Sequence, residues 1–184
     1  MKSLTLAAAT ISLAFCASCG SAAVLSVGGP LSRNCYEAAL VQDNRDQAIS
    51  GCTQSLEQEA LTRGDRAATL VNRGILYMSR RNDAAADRDF DTALGLDQTL
   101  SDAWLNKGFL RIRRGDGKDA LPFLEKGMER APRRQALAIF ARGVAYEQMG
   151  NYRLAYQDLK RAQELEPGWS LPREYLASYK LVGH

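Results

Sequence analysis

Residues 136–169 read ALAIFARGVAYEQMGNYRLAYQDLKRAQELEPGW, and their spacing occurs twice more upstream. Gly143 is preceded by Gly108 and Gly74, at intervals of 35 and 34 residues. The same offsets link Ala155 to Ala120 and Ala86, and Leu159 to Leu124 and Phe90. They also link Ala162 to Gly127 and Ala93. The units close at Gln98, Pro132 and Pro167, and the one extra residue falls near Gln135, in a turn. Four columns on one offset pattern establish an internal repeat. Its units are 67–100, 101–135 and 136–169.

Each unit reads as two antiparallel helices. Helices approach closely only where side chains are small, so the glycine column of the first helix is expected opposite the alanine column of the second. Phe90, Tyr77 and Tyr146 are expected to fill the space between successive hairpins. Arg81-Asn82, Gly115-Asp116 and Gly150-Asn151 would end one helix and cap the next. A single hairpin cannot bury its apolar face, so the units must stack. The fold class is therefore all-α, an α-solenoid of helix hairpins.

This pattern resembles the tetratricopeptide repeat family over residues 67–169. Trp104, Gly108, Ala120, Leu124, Gly127 and Pro132 stand at the family's signature positions in the middle unit. Ile139, Gly143, Tyr146, Ala155, Leu159, Ala162 and Pro167 do so in the third, and Leu70, Gly74, Tyr77, Ala86, Phe90 and Ala93 in the first. Gln98 stands where proline is usual, and Arg111 where the other units have tyrosine. The resemblance implies a right-handed superhelix whose concave face, lined by the first helices, binds protein. The positions it assigns to that face are Val71, Asn72, Ile75 and Met78, then Leu105, Asn106, Phe109 and Ile112, then Phe140 and Val144. Glu147 and Gln148 fall at the rim. The lysine-rich carboxylate clamp of some family members is absent, so the implied ligand is an apolar peptide or protein segment. Asn72 and Asn106 match an asparagine with which some members hold a ligand's backbone; Ala141 takes that place in the third unit.

The ends of such a stack need covering. Ser170-Leu171-Pro172 starts a capping helix assigned to 170–184, with Tyr175, Leu176 and Tyr179 toward the third unit. Residues 34–66 read as a degenerate capping hairpin followed by a longer loop at Thr62-Arg63-Gly64-Asp65. Residues 24–33 have no helical period and are either a flexible leader or an extended arm lying against the stack. Cys35 and Cys52 fall on facing helices of the degenerate hairpin, and in an exported chain such a pair is expected to be bridged.

Export is indicated by residues 1–23. Met1-Lys2 is a short positive start, Leu4 to Phe15 an apolar run too short to span a bilayer, and Ser18 to Ala23 are mostly small, the layout of a secretory signal cleaved after Ala22 or Ala23. A competing route would acylate Cys19, although Cys16 departs from the aliphatic residue expected three positions before it. The expected location is therefore the periplasm, or the envelope by a lipid anchor.

Composition narrows the function classes. Twenty-four basic residues nearly balance twenty-one acidic ones, for a net charge of +3. The basic clusters at 80–81, 111–114 and 133–134 sit near helix ends, not on one face, which speaks against nucleic acid. His184 is the only histidine. That leaves no partner for a nucleophile and no credible zinc set, and no cofactor motif is present. Asp87, Asp89 and Asp91 are read as solvated helix surface. The sequence thus points to a non-catalytic adaptor, with a self-associating or lipid-anchored envelope scaffold as the alternative.

Overall fold

A computed structural model describes residues 3–6, 22–26, 28–129 and 134–182 of the chain. Its helices are α1 (Pro30–Leu40), α2 (Asp46–Gln58), α3 (Arg63–Ser79), α4 (Asp83–Leu96), α5 (Ser101–Arg113), α6 (Gly117–Met128), α7 (Gln135–Gln148), α8 (Tyr152–Leu165) and α9 (Ser170–Ala177). Consecutive helices pack as hairpins α1–α2, α3–α4, α5–α6 and α7–α8, and α9 covers α8. Besides the helices, β1 (Ser3–Leu6) pairs antiparallel with β2 (Tyr179–Val182). The architecture is an α-solenoid. Pro132 and the extra residue's neighbours at 130–133 lie outside the described residues, as do Cys16 and Cys19.

One turn geometry makes all four hairpins. Arg81, Gly115 and Gly150 have positive φ, at 58°, 85° and 74°. The amide of the following residue donates back to the carbonyl five positions earlier: Asn82 to Tyr77 at 2.9 Å, Asp116 to Arg111 at 3.0 Å, Asn151 to Tyr146 at 2.8 Å. This closing bond satisfies carbonyls that the helix end leaves free. Asn82 and Asn151 then cap the next helix by accepting from the amides of Ala85 and Leu154. The degenerate hairpin has the same turn, with Gln42 at φ 50° and the Asp43 amide on the Ala38 carbonyl at 2.9 Å. Although divergent in sequence, it is built as a repeat.

The glycine column works differently from the expectation. A β-carbon added at Gly74 would lie 2.4 Å from Phe90, and one at Gly108 would lie 2.5 Å from Leu124. The nearest partner at these two is thus the large residue sixteen positions later, while at Gly143 the Ala155 carbonyl, at 3.3 Å, stands beside Leu159 at 3.2 Å. Phe90 presses onto the bare backbone of Gly74 in its own hairpin, within a buried cluster that also takes in Ala103 of the next one. Two clusters of buried side chains run through the stack. One includes Val71, Leu76, Phe90 and Leu94, the other Leu105, Phe109, Leu124, Phe140 and Leu159, and Met78 packs against both.

Three boundaries differ from the sequence reading. The leader assigned to 24–33 ends at Gly29, because Pro30 starts α1 at a position where its missing N–H is not needed. The amides of Leu31 and Ser32 donate to the Glu59 carboxylate, both at 2.9 Å, which supplies the cap α1 lacks locally. The stretch from Arg63 to Asp65 is the first turn of α3 and no loop: Thr62 caps it, accepting from the Asp65 amide at 3.1 Å. The C-terminal helix does not continue through 184. It stops at Ala177, where the Ser178 hydroxyl donates to the Tyr175 carbonyl at 2.7 Å, and β2 follows. Leu171, Tyr175 and Tyr179 are buried against the third repeat, while Arg173 and Glu174 are exposed.

The disulfide forms as expected. Cys35 on α1 and Cys52 on α2 are bonded, with their Cα atoms 4.9 Å apart, and both are buried.

Candidate functional site

The first helices of the three repeats, α3, α5 and α7, touch in succession and form one wall. All ten positions expected on the concave face lie on it, but none is exposed. Val71, Asn72, Ile75, Leu105, Asn106, Phe109, Ile112, Phe140 and Val144 are buried, and Met78 is half-buried. The sequence left the leader either free or lying against the stack. The wall is covered, and part of the cover is the chain's own segment Ala22–Ser26. Ala22 packs in the same cluster as Leu105, Phe109 and Phe140, and Ala23 in that of Val71 and Ile75.

This segment is extended and is held mainly through its backbone. The Val24 amide donates to Asn72 Oδ1 at 2.9 Å, and Asn72 Nδ2 donates to the Val24 carbonyl at 2.7 Å. Asn106 Nδ2 donates to the Ala22 carbonyl at 3.1 Å and to the Asp102 carbonyl of its own helix at 2.9 Å. Arg134, just before α7, donates to the Ala23 carbonyl at 2.9 Å. The Ser26 hydroxyl contacts the Asp65 carboxylate at 3.3 Å and Thr69 at 3.5 Å. Ala22 and Ser26 are fully buried, whereas Leu25 projects outward at 61% exposure. Residues two apart in an extended chain face the same side, which is why Asn72 and Asn106, one repeat apart, meet Val24 and Ala22.

Two polar groups stand out at the Ala22 end. Asn106 is fully buried, yet its Oδ1 has no hydrogen-bond partner. Arg134 also binds the Asp102 carboxylate at 2.8 Å; burial pushes that carboxyl above its usual range, against the pull of the guanidinium. The rim residues are engaged internally. Glu147 accepts from the Tyr179 hydroxyl at 3.0 Å, and Gln148 Nε2 donates to the Ile112 carbonyl at 2.7 Å.

Comparison with known proteins agrees with the fold. The tetratricopeptide repeat profile matches residues 136–168. That stretch, α7 with α8, is a tetratricopeptide repeat. Its structure is similar to that of the MamA RS-1 ArsTM double mutant, with a TM-score of 0.62 and 20% identity, covering 81% of this chain and 83% of that one. It is also similar to a crystal structure of MamA protein, with a TM-score of 0.58 and 21% identity over 84% and 76%. A search of curated proteins finds no significant match.

Within the repeated hairpins, charges that sequence reading placed in solvent tie the helices together. Arg73 and Arg142 each precede the column glycine, and each makes a two-pronged bond to an aspartate sixteen residues on. Arg73 meets Asp89 at 2.8 Å twice, and Arg142 meets Asp158 at 2.7 and 2.9 Å. Hydrogen bonding to these carboxylates raises both guanidinium pKa values. Asp89 is therefore buried and paired, not solvated helix surface. In the middle repeat the pair is replaced by Lys107 and Phe123. Lys107 instead reaches back to Asp87 at 2.7 Å and Asp91 at 2.6 Å in the preceding hairpin, and sits 5.3 Å from the Phe123 ring. Arg111, which replaces the column tyrosine, joins Asp87 at 2.9 Å and stacks over the same ring. Among the described residues these ionisable groups belong to the joints between helices, and none faces a cleft as a reactive pair.

Sequence reasoning found Asn72 and Asn106 through the resemblance but missed Arg134, Asp65 and Thr69. Arg134 was read with Arg133 as a helix-end charge. Its offset from the preceding repeat is disturbed by the inserted residue, so no column points to it.

Proposed function

We propose that this chain is a non-catalytic protein-binding module of the bacterial cell envelope, and that its groove receives an extended segment of a partner protein. The observation that carries this reading is the paired clasp of Asn72 and Asn106 on the main chain of residues 24 and 22. Contacts to backbone amides and carbonyls hold any strand-like segment, and pockets beside them select its side chains. The bonded Cys35–Cys52 pair supports an oxidising compartment, and the periplasm suits the signal-like residues 1–23. Among the described residues no helix is long and apolar enough to cross a membrane.

A photo-reactive residue in place of Met78, which is only half-buried between the two clusters, tests this in cells. A captured partner that disappears when Asn72 and Asn106 are both changed to alanine supports the reading. No capture, or capture indifferent to those asparagines, refutes it.

A self-associating scaffold is the second reading, favoured by Leu40 and Val41 at the end of α1, which are 49% and 76% exposed. Sedimentation of the purified chain and its Val41→Asp variant distinguishes them: an assembly that the substitution dissociates favours the scaffold, and a monomer in both excludes it.

A further inference from the structure

We infer that in the uncut chain Ala22–Ser26 is an intramolecular competitor for the groove, and that the partner segment it mimics is an extended strand with two consecutive small residues. The inference rests on the groove reading above and adds what the ligand looks like and what it must displace.

The side chains of the arm define the ligand. Ala22 and Ala23 are buried, Ala22 completely, beneath side chains from two clusters. A larger residue at either position has no room without moving the wall. Ser26 is buried with its hydroxyl on Asp65 and Thr69, so a small polar residue suits that place as well. Leu25 lies in solvent and sets no requirement. Small-small-any-any-serine is therefore the pattern that the walls accept.

The arm itself is an imperfect occupant. At Val24 both the amide and the carbonyl are bound by one asparagine. At Ala22 the equivalent asparagine binds only the carbonyl, and its buried Oδ1 is left without a donor. A buried acceptor with no partner costs free energy. A strand not tethered through Pro30 to α1 can seat its amide on Asn106 as it does on Asn72, completing the second clasp. Such a segment gains a bond that the tethered arm lacks, and this allows it to compete with a ligand present at high effective concentration.

The test uses the whole chain and a fluorescein-labelled, end-blocked peptide of residues 21–27, Ser-Ala-Ala-Val-Leu-Ser-Val. Anisotropy titrations compare the parent with a variant carrying Ala22→Arg and Ala23→Arg, in which the arm no longer fits. If the arm fills more than about nine-tenths of parent molecules, evicting it tightens peptide binding by about tenfold or more. The same variant with Asn72→Ala and Asn106→Ala loses the peptide, and a peptide with arginine at both alanine positions does not bind. Equal affinity for parent and evicted variant overturns the competitor and leaves the groove reading intact. An evicted variant of unchanged helicity that binds no peptide overturns both. An arginine-bearing peptide that binds as well as the alanine one overturns the small-residue requirement.

Discussion

Replacing the column glycine by alanine in each repeat should give three different answers. Alanine in a helix interior is favoured over glycine by about 1 kcal/mol, since it fixes the backbone at lower entropic cost. Opposing this is the space for one methyl group. At Gly74 the new carbon would stand 2.4 Å from one Phe90 ring carbon and 2.9 Å from two others, and that ring is fully buried. At Gly108 it would stand 2.5 and 2.7 Å from Leu124. Overfilling a packed core costs about 1–3 kcal/mol, and overlaps this close call for the upper part of that range, so Gly74→Ala and Gly108→Ala should each lose about 1–2 kcal/mol in net stability. At Gly143 the nearest atoms are 3.2–3.3 Å away, on Asp158, Leu159 and Ala155. A few tenths of an ångström of yielding suffices there, so Gly143→Ala should lie close to neutral. Gly51 in α2 has nothing within 4 Å and serves as control, with Gly51→Ala gaining about 1 kcal/mol. Urea denaturation followed by far-UV ellipticity reads all four. A Gly143→Ala loss as large as that of Gly74→Ala, or a gain at Gly74, would refute the argument that ring-on-backbone packing sets this column.

Reducing the Cys35–Cys52 bond, or replacing both with serine, frees a loop closed over a separation of 17 residues. That should lower stability by about 3 kcal/mol on the chain-entropy estimate, read as a shift in the urea midpoint with and without reductant. Arg81 holds the left-handed conformation that Gly115 and Gly150 hold in the other repeats, so Arg81→Gly should raise stability by about 1 kcal/mol in thermal unfolding. Glu59 caps α1. Burial pushes its pKa up, but hydrogen bonds from Ser55 and the Leu31 and Ser32 amides outweigh this and hold it below the usual carboxylate range. A depressed folded pKa stabilises above the unfolded pKa and ceases to do so as pH falls through the folded value. The stability gap between parent and Glu59→Gln should therefore be wider at about pH 7 than at about pH 3; a constant gap would contradict the cap.

The repeat frame was legible because its constraints are periodic. A glycine, an alanine and a large apolar residue must recur wherever two helices meet in the same way. What the glycine faces was not legible, since Phe90 and Ala86 both lie on the α4 face toward α3 and only distances separate them. Asp89 was misplaced, and the ion pairs of Asp87 and Asp91 were missed, for a related reason, while Asp91 is exposed as read. Asp87, Asp89 and Asp91 look solvated when taken along their own helix, and their partners Arg73, Lys107 and Arg111 come from neighbouring helices. The asparagine clasps were visible through the family resemblance, but their occupant was not. Backbone groups hold Ala22–Ser26, and every residue has those, so the arm carries no signature beyond small size.

The arm also fixes an order of events in the life of the chain. A peptidase must draw the bond it cuts into its own cleft. In the folded protein the Ala23 carbonyl is taken by Arg134 and the Val24 amide by Asn72, with Ala22 and Ala23 enclosed on either side. The cut expected of a secretory signal after Ala22 or Ala23 would therefore need the chain unfolded there. A molecule that folded before such a cut would keep Ala22–Ser26 in the groove, so the relative speeds of folding and of that cut would decide which form of the groove results.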